Sequence, residues 1–205
     1  MPSAESAFGL PAALLWPTAY PWRPESVDLI ETHVSWVFLA GPKVVKVKRP
    51  VDFGFVDHRD LAARRRSCDE EVRLNRRLTS DVYLAVEPIA RVPGGLAVGG
   101  AGPAVEWATV MRRLPAERML DVLLATNATP PDLATRLAET LIGFHLAAPR
   151  CDAEDWGTGA AQIDVLVDNL DALAARAGST LPQRQFDLVD RAMRTFIDLH
   201  RSLFD

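Results

Sequence analysis

Cysteine is scarce in this chain of 205 residues, which contains two, Cys68 and Cys151. They lie far apart and outside any C-x-x-C pattern, which argues against a disulfide framework or a zinc site and favours the reducing cytoplasm. Long hydrophobic runs are also missing, and no basic segment precedes the brief apolar patch near the N-terminus. We therefore expect a cytoplasmic protein that does not interact with a membrane.

The chain also lacks an excess of positive charge, since its formal net charge is −4. Nothing in the overall charge favours binding to nucleic acid or to an anionic membrane, so any phosphate binding must be local. Arginines at 64–66, 73, 76 and 77 could suggest an RNA-binding helix. They alternate with acidic residues and have no aromatic neighbours for base stacking, which favours a solvated helix face and makes RNA binding the weakest functional hypothesis.

The residues Lys43-Val44-Val45-Lys46-Val47-Lys48 predict a short strand that follows a tight turn at Gly41 and Pro42. Side chains alternate between the two faces of a strand, so Val45 and Val47 share one face with the core. Val44, Lys46 and Lys48 share the other, which is a cationic surface. Taken alone, the pattern also fits an edge strand whose lysines oppose aggregation.

A charged helix is predicted after this strand, from about Asp60 to Leu78. At 100° per residue, one side of it carries a broad apolar arc, with Glu71 near the centre of that arc. The arc consists of Leu61, Cys68, Val72, Leu74 and Leu78. A carboxylate in such a position needs a buried cationic partner. The strand just before the helix offers such a partner in Lys46.

A lysine on a strand, paired with a glutamate on the next helix, is how protein-kinase-like enzymes hold the α- and β-phosphates of ATP. Residues 31–39, 46–55 and 70–78 resemble the bacterial aminoglycoside-phosphotransferase-like kinase family, in particular the branch often fused to a P-loop ATPase or kinase domain. The resemblance implies an α+β, protein-kinase-like two-lobe fold. Residues 1–115 would form an N-lobe with a five-stranded antiparallel sheet and one helix, and residues 116–205 the first helices of an incomplete helical C-lobe.

The same resemblance implies binding sites for ATP and for a small-molecule hydroxyl acceptor. Lys46 would bind the phosphates, with Lys48 on the same strand face as the reserve candidate, and Glu71 would orient Lys46. The other nucleotide-binding positions are Val44 and Met111 flanking the adenine, Arg112, Arg113 and Leu114 in the hinge, and Thr32 and Ser35 in the bend between the first two strands. This bend is not rich in glycine, unlike many phosphate-covering loops.

The family's catalytic loop and its Mg²⁺-binding aspartate lie after the helices recognised here. The sequence contains no Gly-Asp dipeptide, and its last helical pattern ends without a cap or a proline. We therefore expect no catalytic residue and no Mg²⁺ ligand in this chain, and no phosphoryl transfer by residues 1–205 alone. The parent protein would transfer the γ-phosphate of ATP to a hydroxyl. The alternative is a catalytically inactive kinase-like module that binds nucleotide or a partner protein.

Two local motifs invite other interpretations. Asp52-Phe53-Gly54 matches the metal-binding tripeptide of kinases, but it directly follows the lysine strand instead of a catalytic loop. We expect a turn that binds no metal. His145 lies in a largely apolar helix, where a histidine is usually a hydrogen-bonded packing residue, and we expect that role for it.

Overall fold

The structure is a computed structural model that describes residues 9–150 and 157–204, so that Cys151 lies outside the described residues. It shows an α+β protein that divides into two compact units, Met1–Leu146 and Ala147–Asp205. The lobe boundary expected near residue 115 falls inside the first unit and stays a prediction.

The first unit contains an antiparallel sheet. Its strands are β1 (Val27–Glu31), β2 (Ser35–Ala40), β3 (Lys43–Lys48), β4 (Tyr83–Val92), β5 (Gly95–Val98) and β6 (Ala104–Arg112). They lie side by side in the order β1-β2-β3-β6-β4-β5. The expectation of five strands is wrong, since the sheet has six. Gly94 and Gly95 adopt the positive φ angles that a tight reversal needs, so even the short β5 pairs with the end of β4.

The helices are divided between the two units. In the first unit they are α1 (Leu10–Leu14), α2 (Leu61–Asn75), α3 (Leu120–Ala125) and α4 (Leu133–Ala147, which ends just past the boundary). In the second they are α5 (Gly159–Ala174) and α6 (Gln183–Leu199). Short 3₁₀ turns occupy Pro17–Ala19, Ala116–Arg118 and Arg201–Leu203. Within the described ranges, no helix combines the length and the apolar character that crossing a membrane requires.

One face of the sheet packs against the chain that precedes β1. Leu10 and Leu14 of α1, followed by Ala19 and Tyr20, are buried in one hydrophobic core with inward side chains of the strands. The strand contribution comes from Phe38, Ala40, Val45, Val47, Ile89, Val98, Ala108 and Val110. The Tyr20 hydroxyl donates a 2.6 Å hydrogen bond to the carbonyl oxygen of Leu14. The alternation of β3 is therefore as predicted, with Val45 and Val47 in the core.

Helix α2 packs on the opposite face of the sheet. It begins after Asp60, whose carboxylate accepts a hydrogen bond from the Ala62 N–H. Arg64, Cys68 and Val72, each four residues from the next, are its buried side chains. The predicted apolar arc is partly wrong. Leu74 and Leu78 are 46% and 48% exposed. Leu74 lies on the helix but points away from the stripe of buried side chains, and Leu78 lies beyond the helix end at Asn75.

Candidate functional site

Glu71 accepts hydrogen bonds from two lysines of β3. Lys46 Nζ lies 2.7 Å from Glu71 Oε1, and Lys48 Nζ lies 2.7 Å from Glu71 Oε2. The side chains of Lys46, Lys48 and Glu71 are 27%, 10% and 13% exposed. The expected ion pair between Lys46 and Glu71 is confirmed, and Lys48 joins it instead of replacing it. We call these three residues the lysine–glutamate cluster.

The lysine–glutamate cluster holds Glu71 in its charged form. Burial disfavours the carboxylate and by itself raises its pKa, but the hydrogen bonds from Lys46 and Lys48 outweigh burial and lower the pKa of Glu71 below its ordinary value. Two ammonium groups face one carboxylate, which leaves one positive charge in excess. Because Lys46 is the more exposed lysine, an anionic ligand would meet this charge at Lys46.

An apolar surface lies beside the cluster on the same face of the sheet. In the β-ladder, Val37 is opposite Lys46 and Leu39 is opposite Val44. Val44 is also opposite Met111 of β6, so the two residues expected to flank the adenine are neighbours across adjacent strands. Val44 is nearly buried, and Val37, Leu39 and Met111 are partly exposed. Their contact with a nucleotide stays a prediction.

The predicted hinge follows directly from β6. The Arg112 N–H donates to the Val82 carbonyl at 2.8 Å and the Arg113 N–H donates to the Pro42 carbonyl at 2.9 Å. Among the described backbone hydrogen bonds, the N–H of Leu114 is not a donor. Of the three hinge amides, that of Leu114 is therefore the one left for a ligand.

The bend between β1 and β2 is closed by its own polar groups. The Thr32 hydroxyl donates to the Ser35 carbonyl at 3.0 Å and accepts from the Ser35 N–H at 2.9 Å. Ser35 is fully buried, and its Oγ has no partner among the described residues. Phosphate contact by Thr32 and Ser35 stays a prediction, and both hydroxyls would have to move to make it.

Asp52-Phe53-Gly54 forms a turn, as expected. Asp52 accepts a hydrogen bond from the Gly54 N–H at 2.9 Å and forms a 3.2 Å ion pair with Arg59. Gly54 adopts a φ of 82°, which favours glycine. Whether Asp52 binds metal stays a separate prediction. In residues 9–150 and 157–204 no group of three or more His, Cys, Asp or Glu side chains is arranged to hold a metal ion.

The expectation for His145 is wrong, since the residue is exposed on helix α4. Its described aromatic neighbour is Phe144, whose ring centroid lies 5.5 Å from that of the imidazole. Helix α4 has no buried residue, so His145 has no core to pack into.

A second ion pair under helix α2 was not predicted. Arg64 Nε lies 2.8 Å from Glu106 Oε2, and the two side chains are 8% and 3% exposed. Arg64 also donates to the carbonyls of His58 and Arg59. Burial raises the pKa of Glu106, against the opposing effects of Arg64 and of the Trp107 N–H. Assigning the arginines to the solvated face is thus wrong for Arg64, although Arg65 and Arg66 are exposed.

Two signals in the sequence could have revealed more of this site. Arg64, Cys68 and Glu71 follow one another at intervals of four and three residues, which places them on one stripe of a helix. All three lysines of the chain lie in β3, at positions 43, 46 and 48, whereas the arginines are spread along the chain.

Comparison with known proteins gives relatives but no family. No family model matches the chain. No solved structure matches it. Uncharacterized protein Mb2027c of Mycobacterium bovis and Uncharacterized protein Rv2004c of Mycobacterium tuberculosis are each 33% identical to it over 133 residues. The match covers 64% of this chain and 25% of each relative, so the chain spans about a quarter of the length of these curated relatives. Their names state no activity.

Proposed function

We propose that this chain is the nucleotide-binding part of an ATP-dependent phosphotransferase of the aminoglycoside-phosphotransferase-like, two-lobe kinase type. The whole protein would transfer the γ-phosphate of ATP to a hydroxyl of a small molecule. One observation carries the proposal: the 2.7 Å pair of Lys46 and Glu71 lies beside the apolar surface that Val44 and Met111 form on the same sheet face.

The cluster has the chemistry that a polyphosphate requires. An ammonium group has three N–H donors, and the described structure commits one of those of Lys46, to Glu71. The remaining donors can bind phosphate oxygens in charge-assisted hydrogen bonds while Glu71 fixes the direction of the side chain. Lys46 is also the cluster's more accessible cation.

The adenine would lie beside Val44, where a flat ring can cover the partly exposed side chains of Leu39 and Met111. Its edge would then reach the hinge, where Leu114 N–H is the available donor among Arg112, Arg113 and Leu114. The residues described here therefore suit ATP.

Mg²⁺ is a different case. The described residues include no group of three or more His, Cys, Asp or Glu side chains arranged to hold a metal, and we assign no Mg²⁺ ligand to them. The acceptor hydroxyl, the fused P-loop domain and a cytoplasmic location belong to the same proposal, and they rest on the resemblance and the cysteine content. A kinase-like module that binds nucleotide without turnover makes the same binding predictions and differs only in lacking transfer. A module that binds a partner protein instead of nucleotide predicts no effect of MgATP.

The concentration of lysine in β3 gives a direct test. The chain should be acylated with an amine-reactive reagent, with and without MgATP, and each lysine quantified by peptide mass spectrometry. We expect MgATP to protect Lys46. Lys43 is the internal control, because its Nζ lies 4.4 Å from the Trp22 ring centroid and its side chain points to the other face of the strand. Equal protection of the two lysines, or none, would contradict the proposal.

Substitutions extend the test. MgATP should raise the melting temperature of the chain, and Lys46→Ala should abolish that rise. Glu71→Ala should cost more ATP affinity than Glu70→Ala, since Glu70 is exposed and pairs with Arg73 on the outer side of the helix. Equal losses would contradict the role of Glu71. ATP binding without phosphoryl transfer by a longer, full-length protein would favour the inactive module.

A further inference from the structure

Lys48 is the part of the lysine–glutamate cluster for which the proposed function has no role. It is as close to Glu71 as Lys46 is, with 2.7 Å between the bonded atoms. The two lysines bind different oxygens of the carboxylate, so neither displaces the other. Lys48 is the more buried of the two, with a side chain that is 10% exposed.

A phosphate that binds the remaining N–H donors of Lys46 shares that ammonium group with Glu71 and draws its positive charge away from the carboxylate. If Lys46 were the sole partner of Glu71, any shift towards the phosphate would weaken the one counter-charge of a carboxylate that is 13% exposed. An unpaired buried charge is strongly destabilising. Lys48 removes this conflict, because Glu71 keeps one short charge-assisted hydrogen bond whichever direction Lys46 takes.

Direct binding of phosphate by Lys48 has less support from the geometry. Lys48 lies opposite Ser35 in the β2–β3 ladder, and Ser35 is fully buried. The Nζ atom of Lys48 already points at Glu71. Lys46 is two residues nearer to Val44 and Met111 along the same strand face.

We propose that Lys48 is a positioning residue, which keeps Glu71 and helix α2 in place while Lys46 binds the phosphates of ATP. This inference rests on the proposed function. It means that helix α2 stays docked both with and without nucleotide. Two further contacts support a fixed helix: Arg64 binds Glu106 in its first half, and the Arg76 guanidinium donates to the carbonyls of Tyr83 and Leu84 at its end.

The test compares Lys48→Met, Lys48→Arg, Lys46→Met and the Lys46→Met/Lys48→Met double variant in the 205-residue chain. Titration calorimetry would measure the affinity for MgATP and for adenosine, which has no phosphate. Hydrogen exchange of the α2 amides would report helix docking in the absence of nucleotide.

We expect Lys48→Met to weaken MgATP binding about tenfold or more, equivalent to about 1.4 kcal/mol. Adenosine binding should change less than about twofold, a difference too small for a general loss of structure. Exchange of the α2 amides should become faster, and Lys48→Arg should restore most of the affinity. In the Lys46→Met background, Lys48→Met should cause no further loss of MgATP affinity, because Lys48 acts through Lys46.

Four results would overturn the inference. Unchanged MgATP affinity in Lys48→Met would show that Lys48 does not support nucleotide binding. Equal losses for MgATP and adenosine would show a purely structural role. Losses that add in the double variant would show that Lys48 binds phosphate itself. If the unaltered chain binds no MgATP, the proposed function fails, and unchanged α2 exchange in Lys48→Met would separately refute the positioning role.

Discussion

The buried pair of Arg64 and Glu106 gives the sharpest prediction about stability. Glu106→Ala would leave the Arg64 guanidinium 8% exposed, with the carbonyls of His58 and Arg59 as its remaining partners. Breaking one side of a buried ion pair typically costs about 3–5 kcal/mol. The two carbonyls do not neutralise the charge, so we expect a loss within this range. It would be a large part of the stability of a protein of ordinary size.

The ion pair itself need not stabilise the protein. The loss in Glu106→Ala could come from the missing pair or from the buried charge that is left without a partner, and a second variant separates these two causes. Replacing both partners with apolar residues of similar volume often has little effect or stabilises. We therefore expect Arg64→Met combined with Glu106→Leu to recover most of what Glu106→Ala loses. Glu70→Ala is the matched control on the same helix, since Glu70 pairs with Arg73 at the surface, and it should leave the unfolding midpoint nearly unchanged.

Urea unfolding followed by tryptophan fluorescence would measure these effects, with Trp107 as a nearby probe because its backbone N–H donates to the Glu106 carboxylate. Hydrogen exchange of α2 peptides would confirm that the loss is local to this helix. The reasoning is refuted if Glu106→Ala is as stable as Glu70→Ala. It is also refuted if the double apolar variant is less stable than Glu106→Ala.

The other two predictions concern pH and metal. The pKa of Glu71 is lowered in the fold, so its stabilising contribution is complete above the ordinary carboxyl value of 4.5 and is lost as the pH falls through the folded value. As the pH falls from 6 to about 3, the Glu71→Gln variant should therefore lose less stability than the unaltered chain, measured as the midpoint of urea unfolding. Parallel plots of midpoint against pH for the two proteins would contradict this. Asp52→Ala should leave magnesium-dependent ATP binding nearly unchanged in calorimetry, whereas a tenfold loss, about 1.4 kcal/mol, would show that Asp52 contributes to the site.

Alternation and helical phase were enough to predict the centre of the site. Val45 and Val47 face the core and Lys46 faces helix α2, as period-two alternation requires. The 100° rotation per residue placed Glu71 inward, and that position is confirmed. Both patterns depend only on residues that are close in the sequence. Because α2 is the first helix after β3 along the chain, Lys46 was the expected cationic partner for Glu71.

The parts that sequence reasoning missed depend on contacts between distant residues. Glu106 lies on β6, 42 positions beyond Arg64, and no local pattern indicates that the two meet. Charged side chains such as that of arginine are exposed in most proteins, and this tendency predicts a solvated Arg64. The tertiary contact with Glu106 overrides it. Helical phase places Leu74 at the edge of the apolar arc, but phase alone does not show how much of that arc the sheet covers, and the helix buries Arg64, Cys68 and Val72 instead.

The segment before β1 has a consequence for how this protein can be shortened. Leu14 and Tyr20 are buried against the sheet face that carries Phe38 and Val45, and they act as its covering layer. A protein that started at Val27 would keep every residue of the lysine–glutamate cluster but would expose this apolar face to water. Such a face binds to other copies of itself. A shortened chain could therefore aggregate for reasons unrelated to the cluster, and its loss of ATP binding would say nothing about Lys46.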